Sequence, residues 1–524
     1  MPGLARLARR AGETSAAVGR AWSRFWFHGS TTEPLEIVRI GIGAAVLFHY
    51  GMATPFLFDL WGDAGWMPPA AALDRLALPW MQSVFFYFTA PWQWAAFHLL
   101  FLLCCAALMV GWRTSWVKWI VLAGQISYDY RNPTLVYGAD TIVACLLFML
   151  CLAPVGRAMS LDRARAKRVA KRGNLAATPP SDSPWAGACI RLMQIQMAVL
   201  VLRSGIEKTG WNGGDAAWPA FTDYEFYNPV IPELLARHDW LADVATDAAI
   251  LIAVAFPFLI WQRRTRPYML AAALSLHLTS AVLAGSVYLS FVMSMGHMSF
   301  LRPEWLHRLG AWWKGKVGAV AVASRLRGHP VYQWVAASRS RLPAMTIPQR
   351  WRERLLYSAM SLFVAWHAFI MLVGPNSSET AGSIRRLVQP YLSFFRLEST
   401  WSFFAPSVGK HSQFRYVIEE SAGHARTFVP VPELNSLLPS YYLIKHSYDA
   451  VVAFPELHAE LFAAMFCRKH AALRPSYVTL QVALEQEFSP ADQLAGKNPL
   501  DPDFVKVETL LRVPCESEAD AGVQ

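Results

Sequence analysis

The chain has 524 residues, of which 54% are hydrophobic and only 16% charged, with 22 Trp and a mean hydropathy of +0.26. That composition excludes a soluble globular enzyme and points to a polytopic membrane protein. The formal charge of +11 is unevenly spread: residues 1–374 hold 35 Lys+Arg against 20 Asp+Glu and residues 375–524 hold 13 against 17, so the basic excess lies in the first part, where it gathers in short loops. It therefore reads as topology charge facing the cytoplasm, not as a nucleic-acid surface.

In chain order, residues 1–35 carry Arg6, Arg9, Arg10, Arg20 and Arg24 between Ala and aromatic residues, an amphipathic cytoplasmic segment near lipid headgroups. The first span runs from about Glu36 to Leu57 and contains Arg39, either a snorkelling anchor or a functional group, and His49. Residues 58–92, rich in Trp, Pro and Gly, predict an extracytoplasmic interfacial loop. Span 2 covers about Gln93 to Val110, span 3 about Ser115 to Ser127, and span 4 runs from Tyr137-Gly-Ala-Asp140 to Pro154. The loop 157–191 holds Arg157, Arg163, Arg165, Lys167, Arg168, Lys171, Arg172 and Arg191, a cytoplasmic pattern. Span 5, about Ala188 to Ile206, ends in Arg203-Ser-Gly-Ile-Glu-Lys208, and the aromatic stretch 208–240 reads as re-entrant or interfacial.

Span 6 covers about Leu241 to Trp261. The apolar block Tyr268 to Leu301 would reach ~50 Å as one helix, too long for a ~30 Å core, so a hairpin near Gly285 gives spans 7 and 8. The basic segment 302–354 lies inside, and span 9, about 355–374, exports the remainder. The expected architecture is an all-α polytopic membrane domain of about nine helices, N-terminus cytoplasmic, with a small α+β extracytoplasmic domain over 375–524. In that domain Gln413 to Glu419, Tyr477 to Phe488 and Phe504 to Val513 read as strands and Pro455 to Ala472 as a helix. Cys104, Cys105, Cys145, Cys151 and Cys189 read as core residues, whereas Cys467 and Cys515 are available for one disulfide, with a separation the sequence does not give. No metal-ligand motif occurs.

Ionisable residues at membrane depth are costly and are the candidates for chemistry. His49, His98 and His367 read as hydrogen-bonded packing residues. Asp247, four after Asp243, is an interfacial pair member or a site residue; His277, between Ser275 and Thr279, and His297, in a Met-rich stretch, are each structural or functional. Arg203 and Glu207 sit four apart and can pair on one helix face, while Lys208 points about 100° away from its neighbour. Two readings are open for Lys208. It snorkels to the outer interface, or a dehydrated cavity lowers its pKa and makes its amine a general base.

Several segments together resemble the horizontally transferred transmembrane domain family, which includes vitamin K-dependent gamma-carboxylase. They are Arg39-Ile-Gly-Ile-Gly, Arg131-Asn132-Pro133 with Tyr137-Gly-Ala-Asp140, Pro154 to Asp162, Ser204-Gly-Ile-Glu-Lys208 with Trp211 and Gly213, and His277 with the following span to Leu301. The resemblance implies that Lys208 deprotonates a reduced vitamin K, a menaquinone-like hydroquinone, beside His277. O2 and CO2 are then co-substrates of a lyase-class carboxylation on an extracytoplasmic peptide or small molecule. Asp140, Arg203, Glu207, Trp211, Asp247 and His297 are the expected substrate- or quinone-binding residues. Where carboxylase-like members carry an Asn-Asn-His-type motif this chain has Tyr137-Gly-Ala-Asp140, and it lacks a counterpart of the large lumenal propeptide region. A non-catalytic membrane protein acting in peptide maturation, export or immunity is the alternative.

Overall fold

The computed structural model describes all residues except 1, 66, 77–80, 173–182, 209–216, 223–229, 284, 307, 309–350, 376–377, 399–411, 422, 431–438, 487, 500 and 516–524. Helix α1 (Pro2–Trp26) leads to α2 (Glu33–Ala53), which has Pro34 in its first turn and Glu33 and Glu36 at its positive end. A short 3-10 turn joins α2 to α3 (Leu57–Trp61), followed by α4 (Pro69–Arg75), α5 (Pro91–Val110), α6 (Thr114–Arg131), α7 (Gly138–Leu152), α8 (Leu161–Arg172) and α9 (Pro184–Glu207). Two short helices, α10 (Ala217–Thr222) and α11 (Val230–Arg237), occupy the described part of the stretch expected to be re-entrant. Then come α12 (Trp240–Leu259), α13 (Arg266–Leu283), α14 (Val287–His297), α15 (Trp351–Val373) and α16 (Ser378–Phe394). Most of the expected basic segment 302–354 lies outside the described residues.

Among the described residues five segments are long and apolar enough to cross a membrane: Glu33–Trp61, Pro91–Val110, Pro184–Glu207, Trp240–Leu259 and Glu353–Val373. The other expected spans are helical but shorter: α7 has 15 residues and α14 has 11, or ~23 and ~17 Å of helix against a ~30 Å core. Helix α7 is apolar all round because it is the central helix, packed against α2, α6, α9 and α14 and buried from Ala139 to Cys151. The turn expected near Gly285 is present. Gly285 has φ of 63°, a value that favours glycine, and the Ser280 and Ser286 hydroxyls meet at 2.6 Å across it.

Two polar networks fix the ends of this bundle. At one end the wholly buried Arg39 Nε donates to Glu36 Oε2 at 2.8 Å. Glu36 Oε1 accepts from the backbone N–H groups of Gly156, Arg157 and Ala158 at 2.7, 2.8 and 3.2 Å. The guanidinium donates to the carbonyls of Leu108, Met109 and Met159. Gly43 allows the approach, since a Cβ there would lie 2.8 Å from the Met109 backbone nitrogen. At the other end Arg131 donates to the carbonyls of Met67 and Gly62 at 2.8 and 2.9 Å, and Asn132 Nδ2 to that of Leu60 at 2.8 Å.

The C-terminal region is an antiparallel sheet of order β2-β1-β3-β4, with β1 (Ser412–Glu420), β2 (Ala425–Phe428), β3 (Pro475–Glu485) and β4 (Val505–Pro514). Alternate residues Phe414, Tyr416 and Ile418 face inward. There Phe414 stacks on Tyr448 of α17 (Pro439–Ala453) at 4.8 Å, and Tyr416 on Phe466 of α18 (Pro455–Lys469) at 3.8 Å. Besides the helix expected over Pro455 to Ala472, this region contains α16, α17 and the short α19 (Pro490–Leu494), and besides the expected strands it contains β2. Cys467 and Cys515 form a disulfide between α18 and the end of β4. The sheet domain rests on the Arg131 end of the bundle, where Lys469 pairs with Asp59 at 3.4 Å and Trp218 Nε1 donates to the Phe488 carbonyl at 2.8 Å.

Because Glu36→Ala strands a buried guanidinium, it is expected to cost about 3–5 kcal/mol, whereas Glu36→Leu combined with Arg39→Met loses less; thermal unfolding of the purified proteins in one detergent compares them. The disulfide closes a sequence separation of 48 residues, so chain entropy predicts about 4 kcal/mol for it. Replacing both cysteines by Ser should unfold the sheet domain at lower denaturant, read from its tryptophan and tyrosine near-UV signal, while leaving the helical signal of the bundle in place.

Candidate functional site

The last turn of α9 decides where its charges go. Arg203 Nη2 and Glu207 Oε1 pair at 2.5 Å along one face. Lys208, the C-cap residue, is turned off that face, and its Nζ donates to Ser204 Oγ at 2.5 Å. Helix α9 is 24 residues long, about 36 Å, and its N-terminal end is bridged to the start of α2 through Ser30 and Ser183. Lys208 is thus at the bundle end that carries the Arg131 network and the sheet domain.

Beside it lies a cavity of about 210 Å³ between α9, α12, α13 and α14. Its apolar wall is Val201, Ala249, Ile252, Ala253, Ala273, Leu276, Leu289 and Met293, and its polar groups are Ser204, Lys208, His277, Ser280, Ser290 and His297. Small residues open the space: Ala249, Ala253 and Ala273 stand where longer side chains would fill it. Along α14, His297 lies seven residues beyond Ser290, ~10 Å deeper toward the middle of the bundle. Lys208 and Ser280 therefore mark one end of the cavity and His297 the other.

His297 is defined chemically by its neighbours. Its Nδ1 is 2.7 Å from the Met293 carbonyl, which can only accept, so Nδ1 carries the hydrogen. Nε2 is then a lone pair, buried and without a hydrogen-bond partner among the described residues. The ring is held edge-on to Phe256 at 4.9 Å and sits 5.1 Å from the ring of His277. An arrangement of an amine at one end, an imidazole acceptor at the other and apolar walls between suits a lipid-soluble molecule with a weakly acidic O–H. Among the described residues no group of three or more His, Cys, Asp or Glu is placed to hold a metal ion.

Of the residues expected at the site, Lys208, His277 and His297 line this one cavity. Arg203 and Glu207 do not line it, being engaged with each other. Asp247 does not line it either: it is exposed on α12, and two positions of helix turn it about 200° from Ala249. Asp140 is elsewhere, buried at the start of α7, where Oδ2 accepts from Tyr137 N at 3.2 Å and Oδ1 is 3.7 Å from His49 Nε2. Trp211 lies outside the described residues. His98 bonds Tyr128 and Thr54 at 2.7 and 2.9 Å, and His367 bonds Tyr391 at 2.9 Å, as packing residues do. Ser204 belongs to the Ser204-Gly-Ile-Glu-Lys208 segment, but Ser280 and Ser290 had no signal in the sequence, because a serine in an apolar helix is usually back-bonded to its own turn.

If the cavity is the binding site, Ala273→Phe should fill it. An apolar fluorophore whose emission rises in dehydrated surroundings should bind the wild-type protein in detergent and lose at least about tenfold in affinity to the variant, in line with the 1.4 kcal/mol that a tenfold change represents. No family model, no curated protein and no solved structure matches this chain.

Proposed function

We propose that this chain is an integral membrane enzyme of the horizontally transferred transmembrane domain type, in which Lys208 takes a proton from a lipid-soluble molecule bound beside α9. The convergence of Lys208, His277 and His297 on one largely apolar cavity carries this reading. Burial of the amine, one residue beyond the α9 span, favours its neutral form. Glu207, the nearest acid in sequence, is occupied by Arg203. Once protonated, the ammonium keeps the Ser204 hydroxyl as an acceptor. His297 Nε2 accepts a hydrogen bond from a second hydroxyl of the ligand and fixes its depth, while the alanine, leucine and methionine walls keep water from the reacting oxygen.

A two-ring quinol head group fits these residues. Its ring faces meet the apolar wall, one O–H meets the unpartnered Nε2 of His297 and the other the Lys208 amine. When bound, a reduced vitamin K supplies with O2 the strong base that the carboxylase resemblance implies, and CO2 is the group added to an extracytoplasmic peptide or small molecule. The same reading gives about nine spans, a cytoplasmic N-terminus and an extracytoplasmic sheet domain. Two features support that sidedness: the basic loops lie on one side by the charge rule, and disulfides such as Cys467–Cys515 persist in oxidising compartments.

Purified protein supplied with reduced menaquinone should consume O2 and, when an extract of the host's peptides and small molecules is added as acceptor, fix labelled CO2 in place of an acceptor C–H proton. Lys208→Ala and Lys208→Arg should each lose about 10²–10⁴-fold in quinol-dependent O2 consumption, since both remove the base, and His277→Ala should fall in the same direction. O2 consumption that is unchanged in Lys208→Ala and His277→Ala would leave a non-catalytic membrane protein of peptide maturation, export or immunity as the reading. O2 consumption without CO2 incorporation would keep the base and remove the carboxylation.

A further inference from the structure

Away from the cavity, four elements bring a second set of ionisable side chains together in the centre of the bundle. They are His49 on α2, Asp129 on α6, Asp140 on α7 and Tyr288 on α14, each no more than 4% exposed. Asp140 Oδ1 is 3.7 Å from His49 Nε2, and the His49 ring is stacked on Tyr288 at 4.4 Å. Asp129 Oδ1 accepts from Gln125 Nε2 at 2.9 Å. Both ring nitrogens of His49, Asp129 Oδ2, Asp140 Oδ1 and the Tyr288 hydroxyl are buried with no hydrogen-bond partner among the described residues. His49, Asp129 and Asp140 also border one void of about 10 Å³, the size of a single water.

Two carboxylates and an imidazole left unpaired at this depth would each carry a desolvation cost of several kcal/mol as separate ions. One proton held among them removes one of the two negative charges. Arg396 acts electrostatically on both carboxylates from outside the cluster, but it is committed to Glu398 at 3.4 Å and to the face of Tyr130 at 5.3 Å. The other groups facing the cluster are phenols: Tyr50 of α2, Tyr128 of α6, whose hydroxyl is bonded to His98, and Tyr288. The convergence is too loose for a metal ion, since no three of these acids and histidines are spaced to ligate one.

We propose that His49, Asp129 and Asp140, with one water in the void between them, form a proton-exchange centre in the middle of the helical bundle. In its elementary step, carried by that water because the two groups stand 3.7 Å apart, the O–H bond of protonated Asp140 breaks as the water takes its proton and an N–H bond forms at His49 Nε2 as the water gives up one of its own, so that a neutral acid and imidazole become a carboxylate and an imidazolium with the water restored and no change in total charge. Asp129 Oδ2 is the second acceptor, reached through the water. Tyr288 is followed in α14 by Leu289 and Ser290, which line the Lys208 cavity, so the two polar centres share one helix. This inference does not rest on the chemistry assigned to that cavity.

The test is infrared spectroscopy of the purified full chain in H2O and in D2O. Wild-type protein should show the carbonyl stretch of a protonated carboxylic acid, moved to lower frequency by deuterium. Asp140→Asn should lose at least half of its intensity, and His49→Phe should shift it, because the partner of the shared proton is gone. If Asp140→Asn fails to accumulate as a disulfide-bonded, monodisperse protein, wild type labelled with carboxyl-¹³C aspartate gives the same answer, because the deuterium-sensitive band must then move with the label. A wild-type spectrum without such a band, a band untouched by both Asp129→Asn and Asp140→Asn, or one that does not respond to the aspartate label would overturn the proposal. None of these outcomes bears on quinol-dependent O2 consumption at Lys208.

Discussion

A buried ion pair stabilises a fold only when its unused lone pairs and hydrogens find partners, and the Glu36–Arg39 pair directs three further guanidinium hydrogens and one carboxylate oxygen to backbone groups. Helix ends leave carbonyls and N–H groups without intrahelical partners, and burying an end requires that something replace water there. The Arg39 guanidinium takes the terminal carbonyls of α5, and Glu36 takes three successive N–H groups of the chain leaving α7. Asp162 does the same for the start of α6, accepting from Arg113 N, Thr114 N and Thr114 Oγ1 at 2.9, 2.8 and 2.8 Å. With these ends satisfied, α2, α5, α6 and α7 can pack at a fixed depth, and α7 can be apolar on every side. The positions of α9 and α14, and hence the cavity between them, follow from that packing.

This explains which parts of the sequence were readable. The motifs with the most distinctive residues, Arg39-Ile-Gly-Ile-Gly, Arg131-Asn132-Pro133 and Pro154 to Asp162, turn out to be the parts that tie helix ends together, and none of them borders the cavity. Strand β1 was legible because Phe414, Tyr416 and Ile418 are buried while the residues between them are not, so its side chains alternate. Helices α16 and α17 were not. The Pro390 inside α16 reads as a breaker, and the Pro439-Ser-Tyr-Tyr-Leu-Ile start of α17 is poor in strong helix formers; both owe their helicity to packing on the bundle and the sheet.

Within the site, what could be read came from angular arithmetic on a single helix. A residue one position after a paired Glu must leave that face, and Lys208 does. What could not be read depends on where other helices place their residues. Asp247 and Ala249 are neighbours in sequence and opposites in space, so only the position of α13 decides which of them faces the cavity. Asp140 was grouped with Lys208 by its motif, yet α7 lies on the far side of α14 from α13 and hands it to His49 instead.

The histidines show how structure and chemistry can be told apart in a membrane bundle. A buried imidazole with both environments satisfied is a packing element, and His98, bonded at each nitrogen, is one. His367 has a tyrosine hydroxyl on one nitrogen and stacks on Phe363 at 5.8 Å. Among the described residues the buried ring nitrogens left without a partner belong to His49 and His297. An unpaired polar atom at that depth costs of order 1–3 kcal/mol, and three such nitrogens beside two separate spaces, one the size of a water and one the size of a ring system, are hard to ascribe to packing. The surroundings of each histidine then set what it can do. The Met293 carbonyl locks one tautomer of His297 and leaves its Nε2 a fixed acceptor, whereas neither nitrogen of His49 is committed to a hydrogen bond.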